Sequence, residues 1–215
     1  MTRTNTAVRF GTALFLLTLA AAPAGAQVGK GDLLEANLAT KEQLLALPGV
    51  DEALADAIIE GRPYANMLEV DRVIAARLDE AQRTELYKRF FLPINLNTAT
   101  AEEILLIPGV GPRMRHEFEE YRPYAGLAEF HREIGKYVDD DELARLEQYV
   151  FVPIDLNTAS DEDILSIPGL GRRMLHEFKE YRPYRAIEQF HREIGKYVDD
   201  VEVARLERYV VIGGA

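Results

Sequence analysis

An all-α fold of three tandem units, each about 60 residues long, is what this sequence predicts. Three observations carry that prediction. One short stretch is written three times, as Leu47-Pro48-Gly49-Val50, Ile107-Pro108-Gly109-Val110-Gly111 and Ile167-Pro168-Gly169-Leu170-Gly171, at intervals of 60 residues and without insertions. The flanks repeat in the same register: Asn37-Leu38-Ala39-Thr40 matches Asn97-Thr98-Ala99-Thr100 and Asn157-Thr158-Ala159-Ser160, and Arg62-Pro63-Tyr64 matches Arg122-Pro123-Tyr124 and Arg182-Pro183-Tyr184. The run from His131 to Asp140 recurs unchanged at 191–200. Between these markers, apolar residues fall at helical spacing.

Each unit reads as four short helices. Helix one opens with a capping-box pattern, Thr40 with Gln43, Thr100 with Glu103 and Ser160 with Asp163. Its apolar face is Leu44, Leu45 and Leu47, then Ile104, Leu105 and Ile107, then Ile164, Leu165 and Ile167. Helix two presents Met114, Phe118 and Tyr121, or Met174, Phe178 and Tyr181; unit one has Leu54, Ile58 and Gly61 there. Pro63, Pro123 and Pro183 stop it. Helix three spans roughly Leu127–Ile134 and its copies, with Gly135 or Gly195 at its end. Helix four starts at Asp79, Asp139 or Asp199, with Gln82, Glu142 or Glu202 completing a capping box. It carries Leu143, Leu146 and Val150, or Val203, Leu206 and Val210. The links Phe91-Leu92-Pro93-Ile94 and Phe151-Val152-Pro153-Ile154 are apolar, so the units are expected to dock in a row.

The N-terminus reads as a secretory leader: Arg3 and Arg9, an apolar run from Phe10 to about Ala22, then Ala24-Gly25-Ala26 as a cleavage site. The expected division is a signal peptide over 1–26, unit one over 27–94, unit two over 95–154 and unit three over 155–215. The apolar run is short for a membrane span, and no later stretch suits one. An uncleaved anchor is the alternative. The absence of cysteine excludes a disulfide scaffold and fits an exported, periplasmic or secreted chain. The net charge of −11 argues against an ordinary nucleic-acid binder, which carries a basic balance or a basic face.

The repeated Pro-Gly step has a physical logic. Pro ends the first helix, and the following Gly takes a positive φ at little cost. The aliphatic residue plugs the gap between helices. The second Gly is expected to turn the backbone again and leave the next helix's N–H groups bare, which makes an anion site suited to phosphate. This pattern resembles the helix-hairpin-helix (SAM-like) motif, and Asn97-Thr98-Ala99-Thr100 leading into Ile107-Pro108-Gly109-Val110-Gly111 is similar to the ComEA family of competence DNA-binding proteins. The resemblance covers nearly all of the chain after the leader. It implies a protein that binds double-stranded DNA through its sugar-phosphate backbone without sequence readout, in DNA uptake with other envelope proteins. The implied contacts are Gly109, Val110, Gly111 and Arg113 in unit two, and Gly169, Leu170, Gly171, Arg172 and Arg173 in unit three. It also implies a monovalent cation on the loop carbonyls in some members. No cofactor is implied.

Unit one departs from the motif. Asp51 stands in place of the second Gly, followed by Glu52, and a carboxylate there fills the helix N-terminus and repels phosphate. The family's second hairpin falls at Ile134-Gly135-Lys136-Tyr137-Val138-Asp139 and lacks the Gly-aliphatic-Gly step, which reads as a turn with a fold role alone. Arg115 and Leu175 stand where the family has a small residue in helix two, whereas unit one keeps Ala55; the larger side chains either loosen the helix pair or point outward. His116, His131 and their copies have no metal-ligand spacing. The repeated tyrosines fit core or cap positions better than base-stacking platforms. No nucleophile–base pair or acidic dyad appears, so an enzyme is not expected. Two readings remain: DNA-backbone binding, or a protein-interaction or scaffold module of an envelope or secretion assembly, in which the hairpins are only tight helix connectors. An acidic surface suits the scaffold reading, and also a protein adapted to high salt.

Overall fold

The structure is a computed structural model that describes residues 31–213. The leader expected over residues 1–26 lies outside them. The chain is mainly helical, with twelve helices and six two-residue strands among the described residues. In chain order the first set is β1 (Leu34–Glu35), α1 (Lys41–Leu45), α2 (Glu52–Glu60), α3 (Met67–Ala75), α4 (Glu80–Tyr87) and β2 (Phe90–Phe91). The second is β3 (Ile94–Asn95), α5 (Ala101–Leu105), α6 (Pro112–Glu120), α7 (Leu127–Ile134), α8 (Asp140–Glu147) and β4 (Val150–Phe151). The third is β5 (Ile154–Asp155), α9 (Asp161–Ser166), α10 (Arg172–Glu180), α11 (Ile187–Ile194), α12 (Asp200–Glu207) and β6 (Val210–Val211).

The strands correct the purely helical expectation. β1 pairs with β2, β3 with β4 and β5 with β6, each in parallel, so the two ends of every four-helix set meet. Val150 and Val210 therefore belong to strands rather than to helix four. Val-Phe and Val-Val favour extended backbone, and Pro153 disfavours the helical region at the residue before it.

Local capping sets the helix starts. Thr40, Thr100 and Ser160 each form the full capping box at the head of helix one. Asp79, Asp139 and Asp199 cap helix four, but only Asp79 with Gln82 completes the box. Glu142 and Glu202 are instead held bidentately by Arg145 and Arg205, with every N–O distance at 2.7 Å.

The repeated Asn and Arg-Pro-Tyr signatures turn out to be one clamp. Asn97 accepts from the Tyr124 N–H at 2.7 Å and donates to the Tyr124 carbonyl at 2.9 Å. Arg122 donates to the carbonyls of Leu96 and Ala99. Asn37 with Arg62, and Asn157 with Arg182, repeat the clamp, except that Arg182 keeps only the bond to Ala159. The Arg-Pro bonds at 62–63, 122–123 and 182–183 are cis.

Packing departs from a simple row. One continuous core runs from Ala36 to Val152 through the first two sets, and a second spans Phe151 to Val210. The first two are stitched by Glu103, which accepts from the Met67 N–H, and by Tyr149, whose hydroxyl donates to the Tyr87 carbonyl. The third set returns to the first. Arg208 donates to the carbonyls of Ala65 at 2.9 Å and Pro93 at 2.8 Å. No described helix is long and apolar enough to cross a membrane.

Candidate nucleic-acid interface

The three Pro-Gly stretches form the same tight turn. The N–H of Val50, Val110 and Leu170 donates to the carbonyl three residues back, at Leu47, Ile107 and Ile167. Gly49, Gly109 and Gly169 hold φ of 78°, 83° and 75°. Pro at the second position and a positive-φ Gly at the third define a type II turn. The valines are buried and plug the turn, whereas Leu170 is half-buried.

The residue after the turn differs between copies. Asp51 caps α2 by accepting from the Leu54 N–H at 2.8 Å, so its carboxylate occupies that helix N-terminus as the sequence implies. Gly111 and Gly171 occupy the same position at α6 and α10, where no side chain caps the helix. Among the described residues, the N–H groups of Gly109, Gly111, Arg113 and Met114 have no acceptor, nor do those of Gly169, Gly171, Arg172, Arg173 and Met174. Two rows of donors without a protein acceptor therefore stand at helix N-termini.

Gly111 and Gly171 do not turn the backbone, contrary to the expectation from the sequence. Their φ values of −103° and −102° are ordinary, and Asp51 holds −94° at the same place. A Cβ added to either Gly would meet nothing within 4 Å. The fold does not need glycine there; the space above it is open.

The charges sort in the same way. α6 and α10 have no acidic residue in their first turn, and every other described helix has at least one. They carry Arg113, Arg172 and Arg173 instead. Positive charge at a helix N-terminus opposes the macrodipole and costs about 0.3–1 kcal/mol. All three arginines are exposed, and among the described residues no carboxylate lies within ion-pair distance of them. Arg115 does not join them, because it pairs with Glu119 on its own helix. Leu175 packs partly buried against the second core.

The other candidates have structural partners. His131 and His191 pair with Glu147 and Glu207, each at 2.9 Å. No group of three metal-ligating side chains is found among the described residues. Tyr124, Tyr149, Tyr184 and Tyr209 are buried, and Tyr121 and Tyr181 bond to the hydroxyls of Tyr137 and Tyr197. At the second turn, Asp139 and Asp199 accept from Glu142 and Glu202 N–H, which fills those helix N-termini with carboxylate.

Sequence reasoning missed Arg145 and Arg205. Arg205 is only 3% exposed, and its Nη1 donates to the Pro168 carbonyl at 2.8 Å. The available signal was the intramolecular comparison: the same position in unit one is Glu85.

No family model matches the chain, and no solved structure matches it. It is similar to the Xenopus laevis protein "Endonuclease/exonuclease/phosphatase family domain-containing protein 1", at 26% identity over 129 residues, which cover 44% of this chain and 23% of the frog protein. The chain thus spans about a quarter of that relative's length, and the activity in the relative's name is not carried across.

Proposed function

We propose that this chain is an exported binding protein, not an enzyme, that holds double-stranded DNA by its sugar-phosphate backbone through two helix-hairpin-helix loops, those opening α6 and α10. Phosphate oxygens accept from the bare N–H groups, and Arg113, Arg172 and Arg173 neutralise their charge. Such contacts carry no sequence information. The first set of helices, closed by Asp51, has a structural role. The resemblance to the ComEA family supports a role in DNA uptake across the envelope.

The observation that carries the reading is the pairing of open glycines with acid-free helix starts. In a chain of net charge −11, acidic residues cap or open every described helix except these two. The overall charge therefore reflects helix termini, where carboxylates stabilise the fold, while the two hairpins are kept clear of them. The scaffold reading rests on the net charge alone.

The test is fluorescence anisotropy of the leader-free chain with a ~30-bp duplex, titrated with salt; the log–log slope is about −0.9 per neutralised phosphate. Two working hairpins give micromolar or tighter binding at low salt and a slope of about −2 to −4. The double change Arg172→Glu and Arg173→Glu removes most of that binding. Absence of binding at low salt by folded protein would sink the DNA reading in favour of a protein partner. Unchanged affinity in the double variant would remove the third hairpin from the site.

A further inference from the structure

The turn at Pro168-Gly169 is held from behind by a buried charge. The Arg205 guanidinium on α12 donates through Nε and Nη2 to Glu202, both at 2.7 Å, and through Nη1 to the Pro168 carbonyl at 2.8 Å. Its Nη2 also lies 3.5 Å from where a Cβ on Gly169 would stand. Burying a guanidinium is expensive even when it is paired, so its placement against one turn carbonyl calls for a reason.

The reason lies in what distinguishes a type II turn. Types I and II differ by a flip of the central peptide, here Pro168-Gly169. Carbonyl and N–H of a trans peptide point in opposite directions. A donor fixed on the Pro168 carbonyl therefore fixes the Gly169 N–H on the far side, away from Arg205. That N–H is one of the bare donors.

The three copies provide an internal comparison. Arg145 repeats part of the arrangement in unit two: Glu142 is held bidentately and Nη2 lies 3.4 Å from a Cβ built on Gly109, but no bond to the Pro108 carbonyl is formed. In unit one the positions hold Gln82 and Glu85. Gln82 completes a capping box, Glu85 pairs with Lys88, and Gly49 meets only Leu78, at 3.6 Å. The Arg–Glu pair is thus present in the two units that keep Gly-aliphatic-Gly and absent from the one that does not.

We propose that Arg205 with Glu202, and Arg145 with Glu142, are positioning residues that lock the hairpin turns with their N–H groups presented to phosphate. The second helix pair of each unit is then the buttress of the first. Hairpin three, whose arginine bonds the turn carbonyl directly, is the more firmly held.

This role presupposes the phosphate reading of the hairpins, so one measurement is made without DNA. In the full chain carrying Arg205→Met, amide hydrogen exchange is followed at Leu170, whose N–H closes the turn, and at Val110 as the internal control. The expected result is exchange at Leu170 at least about tenfold faster, with Val110 unchanged. Affinity for a ~30-bp duplex should fall about tenfold, with a salt slope shallower by about 1. Arg205→Lys keeps the charge but cannot span Glu202 and the Pro168 carbonyl together, and should behave like the Met variant. Unchanged exchange at Leu170, with an unchanged Pro168 Hα to Gly169 N–H NOE (strong in a type II turn, weak in a type I turn), would overturn the positioning role. Faster exchange with wild-type affinity would overturn it equally, since a loosened turn would then bind as well as a fixed one. Wild-type protein that fails to bind the duplex refutes the phosphate reading alone, and Leu170 exchange still decides whether Arg205 fixes the turn. Should Arg205→Met fail to fold, Arg205→Lys, which keeps the buried charge, decides the matter through Leu170.

Discussion

Positions 51, 111 and 171 hold Asp, Gly and Gly on the same extended backbone. Asp51 shows what stability alone prefers there, because it caps its helix and complements the dipole. Gly171→Asp should therefore raise stability by about 0.5–1 kcal/mol while lowering duplex affinity and flattening the salt slope. Denaturant melts and anisotropy on the same preparation check both halves. A variant that gains stability and still binds as wild type would show that the open N–H groups of α10 contact nothing. Gly169 is a different case. At φ 75°, with Leu38 3.2 Å from an added Cβ, Gly169→Ala should cost about 1–2 kcal/mol whatever the ligand. One glycine serves the fold and the other leaves room.

Among elements, one side chain adds a polar link between α3 and α5 to the apolar core they share. Glu103 takes the Thr100 N–H with one oxygen and the buried Met67 N–H with the other, which joins two helix starts from different units. Removing it by Glu103→Ala leaves a buried donor unpaired and should cost about 1–3 kcal/mol, read from urea midpoints at unchanged m-value. Asp163 is the counterpart on α9. It is one methylene shorter, only 3% exposed, and its Oδ1 has no partner. Asp163→Glu lengthens the arm and should stabilise the chain by about 1 kcal/mol. A loss of stability would mean that the space around Asp163 does not admit the extra methylene. The helices themselves were legible from spacing, capping residues and the prolines. The short parallel strands were not, since two residues carry no detectable period and each strand's partner lies a whole unit away.

Across the whole molecule, the last helix fastens back to the first set through Arg208. Its bonds to Ala65 and Pro93 and its place over the Phe151 and Tyr209 rings join three parts of the chain. Arg208→Ala should cost about 2 kcal/mol or more and separate the melting of the second core from that of the first; a single unchanged transition would contradict this. Glu35 lies beside it, Oε1 4.0 Å from Arg208, with neither carboxylate oxygen hydrogen-bonded. Burial pushes its carboxyl above the usual range, and Arg208 and Arg205 pull it back in part. The folded state thus binds this proton more tightly than the unfolded chain does. Glu35 withdraws stability as pH rises above about 4.3, its ordinary value. Glu35→Gln should gain on wild type as pH is raised from about 4 towards 7, in paired thermal melts. A pH-independent difference would exclude Glu35 as the source.

The helices, the Pro-Gly turns and the closure of unit one are legible in the chain itself, apart from the end of helix four, where Val150 and Val210 enter strands. Those features arise from residues close together in the chain: a capping side chain three positions from its N–H, a Pro-Gly pair, an Asp where its copies have Gly. Arg113, Arg172 and Arg173 could be singled out for the same reason, being adjacent to their loops. Which charges stay unpaired, that Gly111 and Gly171 serve no backbone need, and that Arg205 reaches Pro168 from 37 positions away emerge only once the chain is folded. So does the meeting of unit three with unit one in place of an extended row. Such contacts depend on how buried surfaces and long side chains meet across the fold, and no local pattern encodes that.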